Sequence, residues 1–250
     1  MSQNNNSSVP SLVIPSAILA AALIISSAIA AFSIVKFKTI DQTVFVTGSA
    51  RRRIKSDLAI WRISITREAP QLVDAYRALS KDTPKVEEYL RNKGVTADQM
   101  TRNSIVTTTL KEQRQGYVSD AGAKVIAYRL SQSIVVSSKD VEKVASLARQ
   151  ATELIEQNIM IDSDNPQFYC RSLGDLKQGM LADAAKDAQV RAKKIAESTG
   201  SKIGPLRSAH MGALQITPPD STDVSDSGIS DTSTIEKDIT AVVNVSFALD

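Results

Sequence analysis

The 250-residue chain reads as an α+β protein: mixed or antiparallel sheets with helices packed on one face, preceded by one N-terminal transmembrane helix. Three observations predict this. Residues 11–35 carry no charge and are mostly Ile, Leu, Val and Ala. Stretches with period-two alternation recur through the remainder, mostly in pairs. Between the pairs come three amphipathic stretches with helical spacing, an order close to ββα–ββα–ββα–ββ. Paired strands followed by single helices pack as a sheet layer under a helix layer.

The apolar stretch is long enough to cross a bilayer, whose core takes about 20 residues as a helix. Pro15 suits the first helical turn, where its missing N–H is not needed, and Lys36 and Lys38 mark the return to water. Ala28-Ile29-Ala30 would serve as a cleavage site, so a cleaved signal peptide remains an alternative. An uncleaved anchor is favoured, because residues 1–11 contain no Lys or Arg and the apolar run exceeds a signal core. Small residues at i, i+4 spacing, such as Ala22, Ser26 and Ala30, would let helices approach closely or are simply tolerated. The expected organisation is a polar tail at 1–10, the anchor at 11–38, and an α+β region at 39–250, large enough for two packed subdomains.

The elements follow in order. Residues 43–53 form a strand with Gly48 as a bulge, and 57–67 form a clearer one with Ala59, Trp61, Ile63 and Ile65 on one face. Pro70 opens a helix whose stripe is Leu72, Ala75, Tyr76, Leu79, Thr83, Val86 and Leu90, ended at Gly94. Pro84 implies a kink, or two helices with Thr83 capping the second. Residues 100–110 are strand-like, 111–123 a hairpin loop, and 125–137 a strand with Tyr128, Leu130, Ile134 and Val136 on one face. A helix at 139–156, capped by Ser138, presents Val141, Val144, Ala145, Ala148, Ala151 and Ile155. Short strands at 159–161 and 167–171 flank an Asp-Asn-Pro turn. The third helix starts at a Ser172/Asp175 capping box and buries Leu176, Met180, Ala184, Ala188, Ala192, Ile195 and Ala196, ending at Gly200. Residues 201–216 form a strand, 218–234 a Ser/Asp-rich mobile loop, and 235–249 a final strand pointing Ile239, Ala241, Val243, Val245, Phe247 and Leu249 inward.

The residue inventory excludes much chemistry. His210 is the only histidine and Cys170 the only cysteine, so nucleophilic triads and zinc sites lack their parts. Gly200-Ser201-Lys202 reverses the phosphate-loop order and follows a helix. Asp162, Asp164 and Asn165 begin like a calcium loop, but Gln167 and Leu173 occupy the positions of its Gly and Glu. Asp220, Asp223, Asp226 and Asp231 read as a solvated loop, with weak calcium binding as the alternative. No catalytic residue, cofactor or metal ligand is expected, and the chain is read as a non-enzyme. With net charge +3 and 4% aromatics, nucleic acid is not an expected partner. The charge is uneven, however: residues 36–62 hold seven basic and two acidic residues, leaving the remainder at −2. Lys36, Lys38, Arg51, Arg52, Arg53 and Lys55 are therefore the candidate lipid- or partner-binding residues, each able to attract anionic headgroups. Exposed strand residues of no special role are the alternative for Arg51, Arg52 and Arg53.

Several segments in this order carry a resemblance. They are Val46-Thr47-Gly48 with Asp57-Leu58-Ala59, then residues 127–133 (AYRLSQS) with Val141 and Val144. Most specific are Asp187-Ala188, Arg191-Ala192-Lys193, Ile195-Ala196 and residues 200–204 (GSKIG), followed by the alternating terminal strand. Over about residues 43–249 the chain resembles the SIMPL family, or domain of unknown function 541. The resemblance implies an extracytoplasmic α+β domain behind a signal peptide or single anchor. Some members are stress-related or immunogenic envelope proteins, some form ring- or cage-like oligomers, and none supplies catalytic residues. The Arg51-Arg52-Arg53 run and the charge-free leader depart from that pattern, and the positive-inside rule would place these charges in the cytoplasm. The expected protein is nonetheless a single-pass envelope protein with a periplasmic domain that forms a large homo-oligomer. The alternative is a module binding anionic lipid or a partner protein through the basic patch; any small-molecule ligand is unknown.

Overall fold

A computed structural model describes residues 13–40, 42–112 and 124–249. In chain order the elements are α1 (Val13–Ile40), β1 (Thr43–Lys55), β2 (Leu58–Ala69), α2 (Leu72–Asn92), a 3-10 turn (Ala97–Gln99), β3 (Met100–Arg102), β4 (Val106–Lys111), β5 (Val125–Ser138), α3 (Val141–Gln150), α4 (Glu153–Glu156), β6 (Ile161–Ser163), β7 (Gln167–Tyr169), α5 (Gly174–Ser198), β8 (Ile203–Met211), β9 (Gln215–Thr217), β10 (Ile229–Ser230) and β11 (Glu236–Leu249). The fold is α+β with two sheets, as the strand pairs predict. The polar tail and most of the expected 111–123 loop lie outside the described residues. Within α1, Pro15–Phe32 is apolar enough to cross a membrane.

One sheet runs β1-β11-β9-β10, with β8 also on β11; the other runs β3-β5-β2-β6, with β4 on β5 and β7 on β2. Contacts divide the chain into two compact units. The larger comprises Arg51–Met180 and Ala213–Ala241. Its core lies between the second sheet and helices α2 and α3. Trp61, Ile63 and Ile65 of β2 and Ile134 and Val136 of β5 meet Leu79, Val86, Leu90, Val144 and Leu147. The antiparallel register Trp61↔Val136 and Ile63↔Ile134 puts these residues on one face, so the alternation becomes a dry layer. The Trp61 indole N–H donates to Ser163 Oγ at 3.1 Å, which satisfies its one polar group.

The smaller unit comprises Met1–Ala50, Leu181–Gly212 and Val242–Asp250. Here β1 buries Val44 and Val46, β11 buries Val243 and Val245, and α5 buries Ala184, Ala188, Ala192 and Ala196. The alanine stripe lets the helix backbone come unusually near. A methyl group on Gly48 would stand 2.2 Å from the Ala184 carbonyl oxygen and 2.5 Å from the Ala188 nitrogen. Gly48 is therefore a close-approach glycine, where the sequence suggests a bulge. The Ser49 N–H donates to Asp187 Oδ2 at 2.9 Å, and Arg191 Nε holds the same oxygen at 2.8 Å.

Several boundaries differ from the sequence reading. α2 runs unbroken through Pro84 as one helix; Thr83 Oγ1 donates to the Leu79 carbonyl at 3.0 Å beside it. Leu72 and Tyr76, expected inside, are 43% and 52% exposed and line an open groove with Ile105, Thr107 and Leu130. The 139–156 helix divides into α3 and α4, and Asp140 caps it by accepting from the Lys143 N–H at 3.1 Å. Ile155 and Ile195 turn outward, and Leu147 and Leu154 take the buried positions. The 201–216 strand splits at Gly212 into β8 and β9, and β10 forms inside the Ser/Asp-rich loop.

Two glycine substitutions test the close approach. Gly48→Ala should cost about 3 kcal/mol by overpacking. Gly179→Ala should gain about 0.5–1 kcal/mol, since Gly179 lies in α5 with nothing within 4 Å of its missing methyl. Chemical unfolding of the detergent-solubilised protein measures both, and equal effects would contradict the packing described.

Candidate functional site

Among the described side chains, the basic candidates of β1 do not share one face. Lys36 and Lys38 fall in the last turns of α1, and their side chains lie outside the described residues. In β1, Arg51 and Arg53 alternate with Arg52, so the first two point one way and Arg52 the other. All three are exposed, and Lys55 ends the strand in an exposed ion pair with Glu142 at 3.0 Å.

Arg51 and Arg53 converge on Asp238 of β11, whose side chain is 3% exposed. Arg51 Nη2 donates to Oδ2 at 2.5 Å, and Arg53 donates from Nε to Oδ1 at 3.0 Å and from Nη2 to Oδ2 at 3.1 Å. The Asp220 N–H adds a bond to Oδ2 at 2.9 Å, while the Asp220 carboxylate takes Arg53 Nη2 at 2.8 Å. Two guanidinium groups and a backbone donor thus face one carboxylate. The Arg53 bonds, then the Asp220 N–H and Arg51, hold the Asp238 carboxyl well below the usual range despite its burial. The same partners raise the Arg53 guanidinium above its ordinary value.

The neighbouring residue makes a second knot. Lys237 is 1% exposed, and its ammonium donates to Asp231 Oδ2 at 2.8 Å and to the Thr234 carbonyl at 2.6 Å. Asp231 also accepts from the Ser233 N–H at 2.9 Å, the Ser233 hydroxyl at 2.6 Å and the Thr234 hydroxyl. Burial alone would raise its pKa, but the bonds from Lys237, Ser233 and Thr234 prevail and hold it low. Asp220 and Asp231 thus fasten both ends of the 218–234 segment, and Gln215 binds its middle through the Ser225 N–H and carbonyl. Asp220, Asp223 and Asp231 of this loop serve separate partners: Arg53, Ser221 and Lys237.

The remaining candidates sit apart. His210 is exposed on β8. Cys170 is half-buried with its thiol 3.6 Å from the Lys55 carbonyl, and burial pushes that thiol up. Among the described residues no three His, Cys, Asp or Glu side chains come together as metal ligands. The convergence on Asp238 was not visible in the sequence, where the arginines and the acid stand 185 or more residues apart. An acid next to a lysine within an inward-alternating strand was the one available signal.

This chain belongs to the SIMPL family, described as a protein of unknown function (DUF541), whose pattern matches residues 44–247. None of the curated proteins matches it. The most specific family segment, Asp187-Ala188 to Ala196, is the helix face that meets β1 at Gly48 and Ser49. In this chain it serves packing.

Asp238 and Asp231 both have depressed pKa values in the folded protein. Their stabilisation is therefore full above the unfolded carboxylate value and lost as pH falls through and below it. Melting temperature should decline as pH drops below about 4. At neutral pH, Asp238→Asn should cost about 2–3 kcal/mol, the worth of charge-assisted bonds to a buried group. The substitution should also flatten the acid limb of the pH profile; an unaltered limb would assign acid lability to other carboxylates.

Proposed function

We propose that this protein is a membrane-tethered, non-enzymatic envelope protein whose extracytoplasmic domain assembles into a closed homo-oligomer. The observation that carries this reading is β8. It pairs with β11 on one side only, and among the described residues nothing pairs with its other edge. Seven of its nine residues are exposed, including Leu206 and Met211, and Arg207 is its one charged residue. Pro205 and the register shifts near it blunt the start of this edge, but from Leu206 to Met211 the regular part carries little charge and is a template for another strand. In the same unit Phe45 of β1 is 77% exposed. Closed symmetry would cover such surfaces and stop propagation.

The helix α1 supports the tether. One apolar helix per subunit gives an oligomer several attachments, which bind a bilayer together far more firmly than any one alone. The lipid-binding alternative has less support, since Arg51 and Arg53 already meet Asp238.

The parity of the β8–β11 ladder supplies a test. Gly212 N–H donates to the Val242 carbonyl at 3.0 Å, so the paired groups are those of residues 212, 210 and 208, and Ala209 N–H points away from β11. Ala209→Pro therefore removes an edge donor and spares the ladder. Light scattering in mild detergent, with the detergent mass subtracted, should give a discrete multi-subunit particle for the natural chain. The variant should give a smaller one with an unchanged circular dichroism spectrum. A monomeric natural chain would remove this reading.

A further inference from the structure

The larger unit has its own open edge, of different character. β4 pairs only with β5, in the register Thr107↔Leu130 and Thr109↔Tyr128, and its other side meets no strand among the described residues. Beside it lies the N-terminal part of α2. Leu72, Val73 and Tyr76 from the helix, with Ile105, Thr107 and Leu130 from the sheet, line a groove of about 400 Å³. Leu72, Val73 and Tyr76 are 43%, 54% and 52% exposed there. That volume is within the range of ligand sites, and none of the six lining residues is charged.

We propose that this groove binds an extended, uncharged peptide segment of a partner protein, with apolar side chains at alternate positions, added as a strand to β4. Two features select this occupant. An unpaired strand edge offers main-chain donors and acceptors in a row, which only another extended main chain can satisfy together. Strand geometry then sends every second side chain to the face where α2 lies, and the lining there is mostly apolar, with Thr107 and Tyr76 the two residues that carry hydroxyls. A second copy pairing through its own β4 fits less well. That strand's residues on this face are Thr107 and Thr109, which would set hydroxyls in an apolar groove. The proposal does not depend on the assembly through β8.

The test uses the full chain in detergent micelles and a fluorescein-labelled, end-capped octapeptide without charged side chains, Ser-Val-Thr-Val-Thr-Ile-Thr-Ser. Fluorescence anisotropy should show saturable binding. N-methylation at alternate peptide bonds should abolish it, because it removes main-chain donors. Val73→Asp, a change at an exposed position, should weaken binding at least about tenfold, or about 1.4 kcal/mol, with an unchanged circular dichroism spectrum. A peptide of the same composition with its apolar residues contiguous should bind poorly. Absence of binding, or binding indifferent to both N-methylation and Val73→Asp, would overturn the proposal. So would a fall in particle mass caused by Val73→Asp, which would assign the groove to a second copy.

Discussion

A carboxylate almost wholly withdrawn from water must have its charge met within the protein, and Asp238 sets that condition for much of the larger unit. It can be met only if Arg51 and Arg53 arrive on the same face of β1, with Asp220 bringing its backbone N–H alongside. The alternation of β1, its pairing with β11 and the start of the 218–234 segment are thereby fixed together. Lys237 imposes the matching requirement through Asp231, and the return of that segment follows. Two adjacent residues of one strand thus organise a loop whose composition suggests freedom.

The smaller unit rests on space. Small residues repeat every four positions along α5, so the helix meets β1 at Gly48 without side chains intervening. Asp187 then reaches the Ser49 N–H, with Arg191 completing the charge balance. The thiol, the single histidine and the loop carboxylates take no part in a common centre. The chain's most distinctive segment is accounted for by packing.

Much of this fold was legible because local pattern and tertiary need agree. Ala59, Trp61, Ile63 and Ile65 alternate in sequence and are all buried, and the same holds from Ile239 to Phe247 in β11. Helix stripes were read well in their middles and poorly at their ends. Leu72 and Ile155 keep the spacing of a buried face, but at the ends of their helices both are exposed. Periodicity reports a direction around the helix axis and carries no information on how far the neighbouring layer extends. The arginine run was legible as charge and illegible as structure, since its partner lies nearly the whole chain away. At Pro84 the single-helix alternative is the one realised: the buried stripe of α2 continues on both sides of it and outweighs the missing backbone bond.

The short join between helix and sheet has a mechanical consequence. α1 ends at Ile40 and β1 begins at Thr43, so only Asp41 and Gln42 intervene. Fully extended, two residues reach about 7 Å. The 28 residues of α1 rise about 42 Å, against about 30 Å of hydrocarbon. A helix crossing a bilayer on these terms would keep the start of β1 within about 7 Å of the helix end, so the domain could not stand far from the membrane surface.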